Sequence, residues 1–193
     1  MKSRKAVASR ILALSALAML TACAGSLDST SGASGLSAGI CRPEAGFSTE
    51  GSAAQLVERA IDNARSSIRL AGYTFTSPDI VRRLIAARQR GVDIAVVVDE
   101  RGNHSAASKA AMNLLVNAGI PVRTIRLYAI HHDKYMVLDD TNVETGSFNY
   151  SAAAATRNSE NVLVLWNCAQ IAQAYLAHWQ SRWEQGQAWQ STY

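Results

Sequence analysis

Two short segments of the sequence combine side chains that suit acid–base, nucleophilic or metal chemistry. The first is HHDKYMVLDD, residues 131–140, and the second is GSFNY, residues 146–150. Adjacent histidines, a lysine and carboxylates are compatible with three interpretations. The residues could be metal ligands, a nucleophile together with the groups that bind a phosphate, or incidental polar residues at the end of a strand.

The spacing of the polar residues favours the second interpretation. His132 and Lys134 are two residues apart in a segment predicted to be extended, so their side chains project from the same face. Ser147 and Asn149 repeat this spacing after Gly146, a residue that permits close backbone approach. Together these pairs place an imidazole, an ammonium, a hydroxyl and an amide on one surface. That set suits nucleophilic attack at phosphorus with donors for the non-bridging oxygens.

A metal site is the less favoured interpretation. His131, His132 and Asp133 are neighbours, and neighbours on a strand point to opposite faces. The two imidazoles would therefore not converge on one ion. We predict catalysis without a metal or any other cofactor, and we leave open whether His131 is a spectator or touches substrate at the rim.

The elements that must position these residues alternate along the chain. Helical periodicity is predicted for residues 52–67, for a segment that starts at Ser77-Pro78 and stops at Gly91, and for residues 105–118 and 169–185. Extended segments are predicted at 68–75, 92–98, 121–127, 134–140, 142–145 and 161–166. The nearly continuous β-branched run at 92–98 is typical of a strand covered on both faces. We predict an α/β fold with a mixed β-sheet flanked by helices on both faces.

The N-terminal segment has the pattern of an export signal. Residues 1–23 have a basic start, an apolar run at 11–20 and the ending LTAC, which resembles a bacterial lipobox. The apolar run is about half of the roughly 20 residues that a spanning helix needs. We therefore expect a lipoprotein signal peptide with Cys23 as the lipidated residue.

The residues after the signal define the rest of the expected organisation. Residues 24–48 are rich in small polar residues and predict a flexible tether, which leaves 49–193 as one catalytic domain. The expected location is the periplasmic face of a bacterial membrane. Ala24 stands where inner-membrane lipoproteins tend to have aspartate, so the outer membrane is preferred.

Once the predicted signal is removed, the net charge gives no indication of what the protein binds. The sequence has 19 basic and 15 acidic residues, and four of the basic ones lie in the predicted signal, which leaves 15 of each sign. A polyanionic substrate must therefore be attracted by local charge. The basic run Arg82, Arg83, Arg88 and Arg90 is typical of a solvated helix face, and it would bind phosphates only if it borders the site.

The cysteine count agrees with export. Cys41 and Cys168 are the one pair left after Cys23, and an oxidising compartment favours a disulfide between them. The alternative is two buried thiols that never meet.

Other conspicuous residues have ordinary interpretations. His104 and His178 are expected to be surface or half-buried residues. Helical spacing predicts that Trp179 and Trp183, and with them Trp189, pack in the core or an interface rather than stack on bases.

The chemistry-bearing segments resemble a known family motif. Residues 132–149 resemble the HKD motif of the phospholipase D superfamily. His132 and Lys134 are separated by one residue, Asp139 follows after four more, and GSFN follows after a further six. The resemblance extends over residues 50–193 and includes ERGN at 100–103, TGSFNYS at 145–151 and NSENVLVLWN at 158–167. Within the superfamily it is most similar to the single-motif bacterial endonucleases of the Nuc type. Those enzymes imply a metal-independent nuclease that acts on DNA and RNA with little sequence preference.

The resemblance implies a role for each motif residue. His132 matches the nucleophile that forms a phosphohistidine. Lys134 and Asn149 match the ligands of the non-bridging phosphate oxygens, with Ser147 as a supporting donor. Glu160 matches the carboxylate that holds the other ring nitrogen of the histidine.

Two further expectations follow from the motif. Asp139 belongs to it, but the resemblance implies a structural role. In-line displacement also needs a second histidine to protonate the leaving oxygen, and this chain carries one motif. An isologous homodimer brings the same residue of each subunit to the axis, so we predict an obligate homodimer with both copies of His132 in one composite site.

Three function classes remain. The first is an endonuclease on DNA or RNA, favoured because the short chain has little room for acyl-binding insertions. The second is a phospholipase D-type lipid phosphodiesterase or phosphatidyl transferase, since a membrane tether would place the site near phospholipid. The third is a binding protein without catalysis, and the presence of every catalytic residue type argues against it.

Overall fold

The computed structural model describes residues 40–191 of the chain. The predicted signal peptide with Cys23 and the tether as far as residue 39 lie outside the described residues. The strands are β1 Arg42–Phe47, β2 Ser67–Gly72, β3 Asp93–Asp99, β4 Val122–Ile125, β5 Tyr135–Leu138, β6 Asn142–Gly146, β7 Asn161–Trp166 and β8 Gln187–Ala188. The α-helices are α1 Ser52–Asn63, α2 Pro78–Gln89, α3 Ala106–Asn117, α4 Ala152–Thr156 and α5 Ala169–Gln185, and Arg101–Asn103 form a 3₁₀ turn.

All eight described strands form one sheet in the order β1-β7-β6-β5-β2-β3-β4-β8. β2, β3 and β4 are parallel and are joined through α2 and α3, whereas the other pairs are antiparallel. The predicted mixed sheet is therefore confirmed. The chain of β-α-β units places the carboxyl ends of β2, β3 and β4 at the same edge of the sheet.

Helices cover both faces of the sheet, as predicted. Ile94, Val96 and Val98 of β3 point into the larger core, which also contains the buried faces of α1, α2 and α3. Ala95 and Val97 of the same strand point into a second core against α5. The continuous apolar run of β3 is thus explained by burial on both sides, because alternate residues serve different layers.

The helix starts follow local capping chemistry. The hydroxyl of Ser77 accepts a hydrogen bond from the backbone N–H of Ile80, and Pro78 occupies the first helical position of α2. Ser105 caps α3 in the same way by accepting from the N–H of Ser108. These caps satisfy amide groups that would otherwise lack partners, so they fix where the helices begin.

The predicted tether is too long at its C-terminal end. Residues 42–47 form β1, which pairs antiparallel with β7 and packs against α1. Five of its six residues are exposed, so the apolar alternation that signals a strand is missing. β1 is held instead by backbone hydrogen bonds and by Glu44, which accepts a 3.0 Å hydrogen bond from the indole N–H of Trp166.

The predicted disulfide between Cys41 and Cys168 is present. It joins the residue before β1 to the residue before α5, with 4.7 Å between the two Cα atoms. The cross-link therefore fastens the edge strand to the end of the strand with which it pairs. Separately, no helix in residues 40–191 is long and apolar enough to cross a membrane.

Candidate active site

Strand direction brings the motif residues to one edge of the sheet. β5 and β7 run antiparallel to β2 and β6 respectively, so the segments that precede β5 and β7 meet the segment that follows β6. His132 and Lys134 precede β5, Ser147 and Asn149 follow β6, and Glu160 precedes β7. This is also the carboxyl edge of β2, β3 and β4, where ligands bind in open α/β sheets.

Two neighbouring clefts open at this edge, and His132 and Lys134 line both. The first has a volume of about 580 Å³ and is otherwise lined by Gly146, Ser147, Asn149, Glu160 and Asn161. The second has a volume of about 450 Å³ and is otherwise lined by Asp133, Tyr135, Thr145, Gly146, Ala174, Tyr175 and His178. Because β5 begins at Tyr135, His132 and Lys134 lie just before the strand rather than in it. Their predicted convergence is nevertheless observed.

The two residues differ in exposure. The imidazole of His132 is exposed at the mouth of the clefts, whereas Lys134 is 8% exposed. The ammonium of Lys134 donates a 2.8 Å hydrogen bond to the carbonyl oxygen of His132. Burial lowers the pKa of Lys134, and the carboxylates of Asp133 and Glu160 oppose that effect. The arrangement presents an accessible imidazole above a partly desolvated ammonium.

Within one chain, the hydrogen bonds of Glu160 go to residues other than His132, and the contact with the imidazole that the resemblance implies stays a prediction. Glu160 accepts hydrogen bonds from the hydroxyl of Ser147 at 2.5 Å and from the amide of Asn158 at 2.9 Å. The reason is the pairing of β6 with β7, which sets Glu160 beside Ser147, whereas His132 is carried by the loop before β5. Glu160 reaches the motif electrostatically, through the charge of Lys134.

Gly146 permits a close backbone approach, as expected, and the backbone that approaches it is that of the neighbouring strand β7. A Cβ atom at this position would lie 2.2 Å from the backbone oxygen of Asn161. Ser147 and Asn161 exchange hydrogen bonds across this contact, N–H to carbonyl at 3.1 Å and N–H to hydroxyl at 3.1 Å. The glycine therefore allows β7 to fix the hydroxyl of Ser147 at the cleft.

Asn149 has unused hydrogen-bonding capacity inside the first cleft. Its amide oxygen is buried and has no hydrogen-bond partner among residues 40–191. A buried amide oxygen without a partner costs free energy unless a ligand or water satisfies the group. This oxygen is an acceptor and suits a donor group of a ligand or a water, whereas a phosphate oxygen would take a hydrogen bond from the N–H of the same amide.

Asp139 lies at the opposite edge of the sheet, where β5 ends and β2 begins. Its carboxylate accepts hydrogen bonds from the backbone N–H groups of Arg65, Ser66 and Ser67, at 2.7 to 3.0 Å. Partial burial alone would raise the pKa of Asp139, but these hydrogen bonds outweigh it and the pKa is lowered. Asp139 therefore orders the entry to β2, which agrees with the structural role implied by the motif.

His131 points away from the two clefts into a buried position. Its backbone N–H donates a 2.8 Å hydrogen bond to the carboxylate of Asp99, and its side chain is 2% exposed. Nδ1 lies 3.4 Å from the carboxylate of Asp133, and burial lowers the pKa of His131. The neutral ring packs under the loop, so the prediction that neighbouring histidines diverge is correct.

The sequence did not indicate that His178 and Tyr73 belong to this site. His178 on α5 lies 2.9 Å from the carboxylate of Asp133 and lines the second cleft. Tyr73, directly after β2, contacts both His132 and Lys134 through its ring. Tyr73 lies 59 positions before His132 and His178 lies 29 positions after Asn149, so no local pattern joins them to the motif. Within residues 40–191, no group of three or more His, Cys, Asp or Glu is arranged to hold a metal ion.

Two of the four arginines in the basic run pair with local acids. Arg82 pairs with Asp79, and Arg83 pairs with both Glu58 and Asp62. The run therefore behaves as the solvated, paired helix face that its spacing suggests. The tryptophans also pack as predicted: Trp179 is 2% exposed and stacks on Trp183 with 5.0 Å between ring centroids.

The fold and the convergent HKD residues agree with comparisons to known proteins. Residues 57–183 match the family described as "Cardiolipin synthase, PLD-like domain". The chain belongs to the phospholipase D superfamily of phosphodiesterases.

Three relatives define the similarity more closely. The crystal structure of Nuc, a phospholipase D family member from Salmonella typhimurium, has 52% sequence identity and a TM-score of 0.78, and the match covers 78% of this chain and 99% of Nuc. "Phospholipase D" of Rickettsia bellii is 35% identical over 70% of this chain and 66% of its own length. "Mitochondrial cardiolipin hydrolase" of Xenopus laevis is 33% identical over 63% of this chain and 57% of its own length. The similarity thus reaches proteins named for different substrates.

Proposed function

We propose that the protein is a metal-independent phosphodiesterase, and specifically a nonspecific endonuclease that cleaves DNA or RNA through a phosphohistidine at His132. The observation that carries the proposal is the convergence of His132, Lys134, Ser147 and Asn149 at one sheet edge. The 52% identity to Nuc over nearly the whole of that protein supports the nuclease assignment.

The arrangement suits a two-step displacement. An imidazole nitrogen of His132 attacks phosphorus, an N–P bond forms, and the bond from phosphorus to the leaving oxygen breaks. The ammonium of Lys134 neutralises charge on the non-bridging oxygens and the N–H of the Asn149 amide donates to them. The hydroxyl of Ser147 donates to Glu160 in the free protein and would turn to the phosphate as a supporting donor. Water then attacks phosphorus, the N–P bond breaks, and a phosphomonoester is released.

The leaving oxygen needs a proton that the chain's own motif does not supply in line. We assign this role to His132 of a second copy, which later takes the proton of the attacking water. Support comes from the segment that leads into the motif, where Leu127 is 67% and Ile130 is 53% exposed. Exposed aliphatic side chains beside the nucleophile suit a self-complementary interface around a two-fold axis.

A lipid phosphodiesterase or phosphatidyl transferase is the second candidate. The names of the rickettsial and Xenopus relatives favour it, because both refer to phospholipid substrates. The second cleft is lined by the half-buried Tyr175, whose ring offers aromatic surface for either a nucleobase or a lipid group.

We also propose that the mature protein is an exported lipoprotein anchored through Cys23, with the outer membrane preferred. The Cys41–Cys168 disulfide supports an oxidising compartment. Cell fractionation and mass spectrometry of the N-terminal peptide test this proposal; an unmodified Cys23 in a cytoplasmic fraction would reject it.

The function is tested by offering the mature protein plasmid DNA, RNA, and vesicles of phosphatidylcholine or cardiolipin in the presence of chelator. We expect cleavage of the nucleic acids and an acid-labile phosphoenzyme. His132→Ala is expected to lower the rate by roughly 10³-fold or more, because it removes the nucleophile. His104→Ala, an exposed histidine away from both clefts, is the matched control and is expected to be unchanged. Release of lipid headgroups with intact nucleic acid would overturn the endonuclease assignment in favour of the lipid enzyme.

A further inference from the structure

Tyr73 contacts both of the residues to which the proposed mechanism gives the central roles. The centroid of its ring lies 4.9 Å from the centroid of the His132 imidazole, and the two planes are tilted by 56°. The ammonium nitrogen of Lys134 lies 5.3 Å from the centroid of the same ring. One aromatic side chain therefore bridges the nucleophile and the phosphate clamp.

The segment after β3 holds Tyr73 in this position. The amide of Asn103 is buried and donates a 2.6 Å hydrogen bond to the carbonyl oxygen of Tyr73, while its oxygen accepts a 2.8 Å hydrogen bond from the N–H of Phe75. Gly102 lies directly against the tyrosine ring, and a Cβ atom there would be 2.8 Å from a ring carbon. These contacts give the ERGN segment a structural purpose that its sequence pattern does not reveal.

The same segment also positions the loop that carries the nucleophile. The buried carboxylate of Asp99 accepts hydrogen bonds from the N–H of Gly102 at 2.6 Å and from the N–H of His131 at 2.8 Å. Hydrogen bonds therefore attach both Tyr73 and the loop that carries His132 to the segment at the end of β3. Their relative placement is set by buried hydrogen bonds rather than by flexible side chains.

The ring has an electrostatic consequence for Lys134. An ammonium over an aromatic face is attracted by the ring quadrupole, which favours the charged form. Burial acts in the opposite direction and lowers the pKa of Lys134. The ring of Tyr73 therefore opposes the effect of burial on Lys134 and helps to keep its ammonium charged.

We propose that Tyr73 is a positioning residue, whose ring orients the His132 imidazole and holds Lys134 as an ammonium, with residues 99–103 as its support. The catalytic part of this proposal rests on the proposed function. The effect of the ring on the protonation of Lys134 is independent of the proposed function, and it can be measured without any substrate.

The test compares Tyr73→Leu, which removes the ring, with Tyr73→Phe, which keeps it. The titration of Lys134 is followed by NMR of labelled lysine side chains; Lys109 is the one other lysine after residue 23, so it is an internal control. We expect Tyr73→Leu to lower the titration midpoint of Lys134 by about half a pH unit, as a lost cation–π contact implies. Tyr73→Phe and Lys109 are expected to be unchanged.

Kinetics on bis(p-nitrophenyl) phosphate supply the second readout. Tyr73→Leu is expected to lower kcat about tenfold or more with a smaller change in KM, and to shift the alkaline limb of the pH profile to lower pH. Tyr73→Phe is expected to restore both values. Gly102→Ala, which pushes on the ring, is expected to act in the same direction as Tyr73→Leu.

The outcomes separate the two proposals. A Tyr73→Leu protein that is folded by thermal unfolding, with Lys134 titration and kcat both as in the wild type, would overturn the role of Tyr73. A Tyr73→Phe protein as impaired as Tyr73→Leu would also overturn it, since the hydroxyl and not the ring would then matter. If the wild type cleaves no diester but Lys134 titrates as expected, the proposed function fails while the electrostatic role of Tyr73 stands.

Discussion

Two buried ionisable residues, Lys134 just before β5 and Glu144 in β6, differ in their relation to the site. Lys134 lines the clefts, where the charges of Asp133 and Glu160 act on it and where it contacts the ring of Tyr73 and a backbone carbonyl. Glu144 of β6 is 1% exposed and has one partner, the hydroxyl of Tyr150, which donates a 2.8 Å hydrogen bond. Burial raises the pKa of Glu144 to about 8, although the hydrogen bond from Tyr150 acts in the lowering direction. Glu144 is therefore a neutral core residue at neutral pH.

We predict that Glu144→Gln makes the protein more stable near pH 8 than the wild type. In the unfolded chain the carboxyl titrates near 4.5 and in the folded protein near 8, so between these values folding takes up a proton. The free energy of unfolding of the wild type should therefore fall as pH rises through this window, by up to about 1.4 kcal/mol per pH unit from this group. Glutamine keeps the acceptor for Tyr150 and removes the titration.

Urea unfolding near pH 5 and near pH 8 measures this effect. Glu184→Gln, an exposed carboxyl of α5, is the matched control and should keep the pH dependence of the wild type. An equal pH dependence in Glu144→Gln and the wild type would show that Glu144 is not the titrating group.

At the scale of elements, the structure separates the functional edge of the sheet from a structural edge. The site forms where β6 ends and where β5 and β7 begin, whereas Asp139 and the disulfide lie where β5 and β7 end. β1 belongs to the structural part, because it is an exposed edge strand that pairs with β7 alone. Its attachment depends on backbone hydrogen bonds, the contacts of Glu44 and the cross-link.

We predict that the double variant Cys41→Ser, Cys168→Ser loses about 2–5 kcal/mol of stability and keeps its activity while folded. The cross-linked residues are 127 positions apart, so the disulfide removes much conformational freedom from the unfolded chain. Activity should persist because the disulfide lies at the edge opposite to His132. Urea unfolding of wild type with and without dithiothreitol measures the effect, and reduced wild type should match the double variant. Equal stability of the oxidised and reduced proteins would contradict this account.

At the scale of the whole molecule, the proposed in-line displacement assigns the proton of the leaving oxygen to a second copy of the chain. The proposed donor is His132 of that copy, and the exposed Leu127 and Ile130 lie in the segment that precedes the motif. The guanidinium of Arg101 donates to the carbonyl oxygens of Tyr128 and Ala129 in this segment. These hydrogen bonds restrain the backbone between the two aliphatic residues, which lowers the entropy cost of forming an interface.

We predict that Leu127→Asp with Ile130→Asp produces a folded monomer whose kcat falls at least as far as expected for a missing general acid, about 10²-fold or more. Analytical ultracentrifugation and activity are measured on the same samples. Leu114→Asp, which alters an exposed leucine of α3, is the matched control and should remain dimeric and active. A wild-type protein that sediments as a fully active monomer would rule out the composite site.

Much of the fold was predictable because its signals are local. The β-branched run of β3, the Ser-Pro start of α2 and the apolar spacing of α5 each reflect a preference that acts within a few residues. β1 and β8 were not predictable: β1 is polar and exposed, and β8 has two residues, so both exist only because a neighbouring strand offers hydrogen bonds. The same holds for Glu160, whose partner is chosen by the pairing of β6 with β7.

The sequence alone was enough to predict the reacting groups, since His132, Lys134 and Asn149 occupy the positions of the HKD motif. It also determined the α/β class and the cysteine pair. The three-dimensional fold was needed to show that Tyr73 and His178 line the site, that Asp139 lies at the opposite edge, and that Ser147 donates to Glu160 within the chain. The physical reason is that these relations depend on strand order and direction, which bring together residues that no local preference connects.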